Sequence, residues 1–366
     1  MPWTGITEHG KDWPVANKYF EPERGTEFYQ NYIDSMVYAE ECGFDLVGCN
    51  EHHFSPYGLM ANPNLIAAAL TQRTKKAKLA VFGNLVPLNN PIRTAEEYAM
   101  IDVMSGGRLF AGFMRGIPHE YVAYNSNPSE SFGRLHEATE LIIKAWTEPE
   151  PFGWEGEYYQ FRSVSIWPRP RQQPHPPILM SASNTESAEF AARHRAKMGI
   201  VLLMDLASTK ENIRIYKDVA RAHGWEPTAA DILIGQHMCI CDTDEEAQMH
   251  LQAGCNYFYG VLGGGVRTAA NLVLKESRFY QGEERRAAVS QRRRDLANEK
   301  IEDAIDKGAV LCGSPDSVVK QIKRIHGELG NGVFNITMKV GNIPDPVVRK
   351  GMELFKERVL PEVRDL

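Results

Sequence analysis

No run of about 18 apolar residues occurs in this 366-residue chain, so no membrane-spanning helix is expected. The first residues, Met1-Pro2-Trp3-Thr4-Gly5, carry neither a charged n-region nor an apolar h-region, so no secretory leader is expected. Paired Cys-x-x-Cys sets are missing. The six cysteines, at 42, 49, 239, 241, 255 and 312, are scattered and read as reduced thiols of a cytoplasmic protein. Cys239 and Cys241 form a C-x-C that strand alternation explains without a metal. Net charge is −6 with no basic block, which argues against nucleic acid as a partner. No G-x-G-x-x-G or Walker-type loop follows a candidate strand, so dinucleotide and P-loop sites are not expected. No H-x-H or H-E-x-x-H spacing supports a metal site.

Short apolar, β-branched runs alternate with helical patterns, as in βαβ units around a parallel sheet. Helices are predicted over 26–42, 64–73, 91–104, 131–147, from about 185, 208–223, 244–260, from about 315 and 346–359. Gly43 stops the first and Pro91 starts the third. Strands are predicted over 45–49, 78–83, 108–114, 177–180, 196–204, 231–241 and 333–340, with a weaker first one near Gly5-Ile6-Thr7. Eight βα units closing as a (β/α)8 barrel, one domain over 1–366, is the simplest architecture. Two stretches break the rhythm. Residues 148–176, rich in Pro, Gly and aromatics, read as an excursion with a hairpin around Tyr158-Tyr159-Gln160-Phe161. Residues 261–310 open on Gly263-Gly264-Gly265 and read either as a lid or as a solvated surface helix.

Residues that follow barrel strands face the active site. After the strand ending at Cys49 stands Asn50-Glu51-His52-His53-Phe54. Successive side chains point opposite ways, so one of the two histidines is expected to face the barrel axis as a base or proton donor. Loop histidines bonded to backbone are the structural alternative. Gly83 and Asn84 sit at the next strand end, where glycine lets a flat ring lie against the backbone. An ordinary Pro/Asn turn would serve equally. Met114-Arg115-Gly116 follows the third strand, and its guanidinium suits either an anion or a salt bridge. Met180-Ser181-Ala182-Ser183-Asn184-Thr185 leads into a helix, which serves a phosphate or a plain cap. Asp102 and Asp205 are the nearest additional metal-type groups.

Taken together these segments resemble the bacterial luciferase-like monooxygenase family. The resemblance rests on Glu51-His52-His53-Phe54, Tyr57 to Pro63, Val86 to Glu97, Ile101 to Leu109, Gly112 to Gly116, Ser181 to Glu186 and Gly313 to Val318. It implies the (β/α)8 fold and a reduced FMN cofactor that reacts with O2 through a C4a-hydroperoxide to oxygenate a small organic substrate. His52 resembles the family's catalytic histidine. Arg115, Ser181 and Asn184 resemble its phosphate contacts, with Phe82, Gly83, Asn84, Met114, Met180 and Ser183 around the flavin. Phe82–Gly83 matches a place where the family often carries a non-proline cis peptide. Phe54, Tyr57, Leu59 and Phe113 are candidates for the substrate side, with core roles expected for half of them. Met114 and Met180 stand where light-emitting α subunits carry cysteine and glutamate, which weighs against light emission. The resemblance further implies a separate flavin reductase and a homodimer. Its rivals are deazaflavin-dependent hydride transfer on the same fold, a non-catalytic partner subunit, and a metal-dependent barrel hydrolase.

Overall fold

The computed structural model describes residues 14–57, 59–263 and 298–366. The weak first strand near residues 5–7 therefore lies outside the described residues, as does most of the expected lid. The fold class is α/β of the TIM-barrel type: parallel strands followed by helices. The chain divides into two compact units, with the boundary between Leu179 and Met180.

The first unit runs through α1 (Pro22–Glu41), β1 (Leu46–Cys49), α2 (Pro63–Arg73), β2 (Lys78–Leu85), α3 (Pro91–Met104) and β3 (Leu109–Met114). Then come α4 (Pro118–Ala123), α5 (Ser131–Thr147), β4 (Phe152–Glu155) and β5 (Gln160–Val164). Local chemistry sets the helix starts. Asn62 Oδ1 accepts the Asn64 N–H at 2.9 Å, and Asn90 Oδ1 accepts those of Ile92 and Arg93 at 3.0 and 3.2 Å. Each cap is followed by a proline at the first helical position, where a missing N–H costs nothing. Gly43, at φ 87°, ends α1.

β1, β2 and β3 pair in parallel, with Leu46 opposite Lys78 and Leu79 opposite Leu109. Behind β3 lies an aromatic core. Trp146, Tyr98 and Phe113 are fully buried, with ring centroids 5.9–6.2 Å apart. Tyr98 Oη donates to the Gly112 carbonyl at 2.6 Å, tying α3 to β3.

The excursion at 148–176 is ordered by two buried or half-buried carboxylates. Glu137 of α5 accepts from Trp154 Nε1 and from the backbone N–H groups of Tyr158 and Tyr159 at 2.8–3.0 Å. This places Tyr158 and Tyr159 in the turn between antiparallel β4 and β5. Asp102, fully buried, accepts from the Gln172 backbone N–H at 2.8 Å and from Gln172 Nε2 at 2.7 Å. Its carboxylate is thereby committed to structure.

β6 (Ile178–Ser181) spans the boundary. The second unit continues through α6 (Thr185–Arg193), β7 (Lys197–Ile200), α7 (Leu206–Ala222), β8 (Ile232–Ile240) and α8 (Asp244–Tyr257). After a π-helical turn at Phe258–Leu262 it resumes with α9 (Ile301–Asp306), β9 (Val310–Gly313), α10 (Pro315–Leu329), β10 (Val333–Thr337) and α11 (Asp345–Leu354). β8 pairs in parallel with β7, β9 and β10, and all nine of its residues are buried. Its apolar ends, Ile232-Leu233-Ile234 and Met238-Cys239-Ile240, flank the buried polar pair Gln236 and His237. α10 buries Val318, Ile322, Ile325 and Leu329 at helical spacing and ends at Gly330, φ 64°.

Three elements differ from the sequence expectation. β9 and α9 lie within or beside the span read as an excursion, and α4 was not anticipated. Each has only four to six residues, too few for a periodicity to declare itself. All six cysteines are free and buried.

Candidate active site

Where β1 ends, the chain turns through Asn50-Glu51-His52-His53, and both histidines meet carboxylates. His53 Nε2 lies 2.9 Å from Glu51 Oε1, and its Nδ1 lies 3.2 Å from Tyr124 Oη. Glu51 Oε2 accepts the Leu85 N–H at 2.9 Å. His53 is thus buried and fixed between β1, β2 and the residue that follows α4. His52 is the more accessible of the two, its side chain 15% exposed. Its Nδ1 lies 2.7 Å from Oε1 of the fully buried Glu120, while Glu120 Oε2 accepts the Ile117 N–H at 2.7 Å. The Tyr57 ring lies 4.4 Å from the imidazole. Burial and the Glu120 charge hold the Tyr57 phenol well above its ordinary range.

His119 is fully buried, and its Nε2 is 3.8 Å from Glu120 Oε1, beyond hydrogen-bond reach. Ligand atoms of His52, His119 and Glu120 lie within 4.8 Å of one another. Sequence spacing gave no hint of this trio, because residue 52 and residues 119–120 are remote in the chain. Hydrogen bonds to His52 and Ile117 occupy both Glu120 oxygens, which accounts for the geometry without a metal. Asp205, the other metal-type group, caps α7 by accepting the Ser208 N–H at 2.7 Å.

The Phe82–Gly83 peptide is cis. A Cβ at Gly83 would fall 2.4 Å from the Gly112 carbonyl oxygen, so glycine is required there by the approach of β2 to β3. The Asn84 side chain exchanges hydrogen bonds with Asn64 at 3.0 and 3.1 Å. Met114 is buried. The Arg115 guanidinium stacks 4.3 Å over Phe132 and reaches Ser131 Oγ at 3.5 Å. Phe54 is half exposed at φ 53°, and Leu59 stands at φ 47° with its carbonyl accepting from Tyr29 Oη. Phe113 differs from its expected place: its ring is fully buried between Tyr98 and Trp146, in the core rather than on a substrate face.

In the second unit, Met180 is buried at the end of β6. Ser181 and Ser183 precede α6, whose N-terminus Asn184 caps by accepting the Ser187 N–H at 3.0 Å. This is the cap the sequence admitted. The same unit holds a small cavity lined in part by His237, Met204, Cys255, Tyr259 and Val310.

His237 Nε2 lies 3.2 Å from Tyr259 Oη, and burial lowers the imidazole pKa to about 4. A histidine unfolded near 6.5 but folded near 4 stays neutral in the folded chain between those values, while the unfolded chain takes up a proton. Stability is therefore expected to fall as pH drops from about 6.5 toward 4, by roughly 3 kcal/mol at most. Urea unfolding across that window checks this. His237→Leu should flatten the slope, and an unchanged slope would remove His237 as its source.

The profile of the luciferase-like monooxygenase family matches residues 16–331. The chain belongs to that family. It is 31% identical over 187 residues to the alkanal monooxygenase alpha chain of Photorhabdus luminescens, covering 51% of each chain. To the oxygenase component of the flavin-dependent trigonelline monooxygenase of Acinetobacter baylyi it is 28% identical over 240 residues, 65% of this chain and 66% of that one. The chain thus spans about half the length of some of the curated relatives it matches. Among solved structures, a monooxygenase from Streptomyces bottropensis superposes with a TM-score of 0.75 at 28% identity, over 91% of this luciferase-like chain and 93% of that one. Two others share the fold. The oxygenating constituent of 3,6-diketocamphane monooxygenase from Pseudomonas putida, in complex with FMN, has a TM-score of 0.72 at 21% identity, covering 92% and 93% of the chains. An F420-dependent secondary alcohol dehydrogenase has 0.69 at 18% identity, covering 91% and 94%.

Proposed function

We propose that this chain is the oxygenase component of a two-component flavin-dependent monooxygenase. It takes reduced FMN from a separate reductase and uses O2 to oxygenate a small organic substrate. The observation that carries this reading is His52. It is the partly accessible histidine after β1, and its ring is held by a buried carboxylate. His52 is the group that holds or moves a proton at the reacting centre.

The donor chemistry fits a phosphorylated flavin. Arg115, backed by Phe132, supplies a fixed planar donor fork suited to phosphate. Phe82, Gly83, Asn84 and Met114 belong to the isoalloxazine side. Ser181, Ser183 and Asn184, with the α6 N-terminus, and Met180 keep the flavin roles that the family likeness gives them, as part of the proposal. Phe54, Tyr57 and Leu59 are proposed for the substrate side. The flavin, when bound, supplies the activation of O2, and the chain binds, orients and shields it. The chain is proposed to pair as a homodimer in the cytoplasm and to fold as one domain.

Three measurements test the reading. Anaerobic titration should show one reduced FMN per chain. O2 consumption with product should appear only when a reductase or chemical reductant is present. His52→Ala should lose about 10²- to 10⁴-fold in product formation while retaining most flavin binding. Unchanged turnover in that variant removes the assigned role. Substrate oxidation coupled to reduction of an oxidised deazaflavin under strict anaerobiosis, with no requirement for O2, overturns the oxygenase reading.

A further inference from the structure

We propose that Glu120 is the positioning residue of His52: it fixes which imidazole nitrogen carries the proton and leaves Nε2 as the basic atom. The role in turnover rests on the oxygenase reading above; the assignment of the proton does not.

Glu120 is fully buried on α4, a six-residue helix entered through Ile117-Pro118. A carboxylate only accepts hydrogen bonds. Its Oε2 is held by the Ile117 N–H, which fixes the plane of the group and turns Oε1 toward His52 at 2.7 Å. Nδ1 of His52 is therefore the donor. The neutral ring then has its lone pair on Nε2. A histidine whose second nitrogen is bound to a carboxylate is fixed in both tautomer and orientation, which is the usual means of making it an efficient acid or base. Other titratable groups around the imidazole are His119, 6.2 Å away by ring centroids, and Tyr57 at 4.4 Å. Neither holds Nδ1. His53, although adjacent in sequence, has its own carboxylate, Glu51, so the two histidines do not compete for one acceptor.

Glu120→Gln is nearly isosteric and exposes the role. Its amide oxygen can still accept from Ile117, which turns the NH2 group toward Nδ1. The ring must then accept at Nδ1 and carry its proton on Nε2, removing the base.

The test begins with the protein alone. ¹⁵N imidazole spectra, with His52 assigned by its loss in His52→Ala, should show a protonated Nδ1 and a bare Nε2 in the neutral ring. The opposite tautomer in the wild-type chain overturns the proposal, whether or not any Glu120 variant folds. In Glu120→Gln the two nitrogens should exchange roles, and an unchanged spectrum likewise overturns it. With reduced FMN and O2, Glu120→Gln should lose about 10- to 100-fold in turnover with flavin affinity little changed. Placed in the His52→Ala background, Glu120→Gln should cost less than about twofold more, because a positioning residue acts only through its partner. Multiplying losses would mean that Glu120 does not act through His52. A wild-type chain that neither binds reduced FMN nor consumes O2 would sink the oxygenase reading while the imidazole spectra still decide the pairing.

Discussion

Trp146→Ala is expected to cost about 3–5 kcal/mol, the range for removing a fully buried indole. Trp146 is fully buried on α5. Its Nε1 donates to the Ala95 carbonyl at 3.0 Å, binding α5 to α3. Its ring sits against Tyr98, Phe113 and His175 at 5.9–6.2 Å between centroids. The substitution opens a cavity and also leaves the Ala95 carbonyl without that donor, and the two losses add. A neighbouring turn cannot refill the space, because the surrounding rings are themselves anchored: Tyr98 Oη holds the Gly112 carbonyl. Urea denaturation measures the effect. A midpoint shift worth less than about 1 kcal/mol would show that the site collapses freely.

Gly112→Ala is the second large effect, and it arises from backbone alone. A Cβ at Gly112 would lie 1.9 Å from the Val81 carbonyl oxygen and 3.2 Å from the Gly83 Cα. Neither is the movable end of a side chain, so β2 and β3 must separate. They meet here across a register shift between Val81 and Asn84, where no slack exists. A loss of roughly 3 kcal/mol or more is expected. The control is the same substitution at Gly327 on α10, where a Cβ meets nothing within 4 Å. Gly327→Ala should instead gain about 0.5–1 kcal/mol, through helix propensity. Equal effects at the two positions would show that chain entropy, not strand spacing, governs Gly112.

Most helices of the fold were legible because their signals are short-range. Pro91 after the Asn90 cap, and the stripe Val318, Ile322, Ile325 on α10, act within one or two turns. Predicted spans of 91–104 and 131–147 coincide with α3 and α5. The strand predicted over 231–241 contains β8, Ile232–Ile240. The cis peptide at Phe82–Gly83 lies where the family likeness placed it. α4, α9 and β9 did not show, since four to six residues complete too little of a period to stand out.

The family likeness pointed to His52, but the residue pattern alone did not choose between His52 and His53. Alternation says that neighbours diverge; it does not say which one meets Glu120, 68 positions away. Phe113 shows the same limit. As an apolar residue near a strand end it fits pocket or core equally, and only the positions of Tyr98 and Trp146 assign it to the core. By sequence Asp102 is only a nearby metal-type group, and the structure places Gln172 on both of its oxygens.

The amino-acid order by itself determined the alternating helices and strands, the family, and the set of polar residues at strand ends. Caps, periodicity and glycine turns are read from neighbours a few residues apart, so a linear string contains them. Tertiary structure alone decided that His52 faces a buried carboxylate, that His53 is held by another, and that Asp102 is a structural clamp. Hydrogen bonds across tens of residues depend on where the backbone returns, and burial then fixes which of the available partners each group must keep.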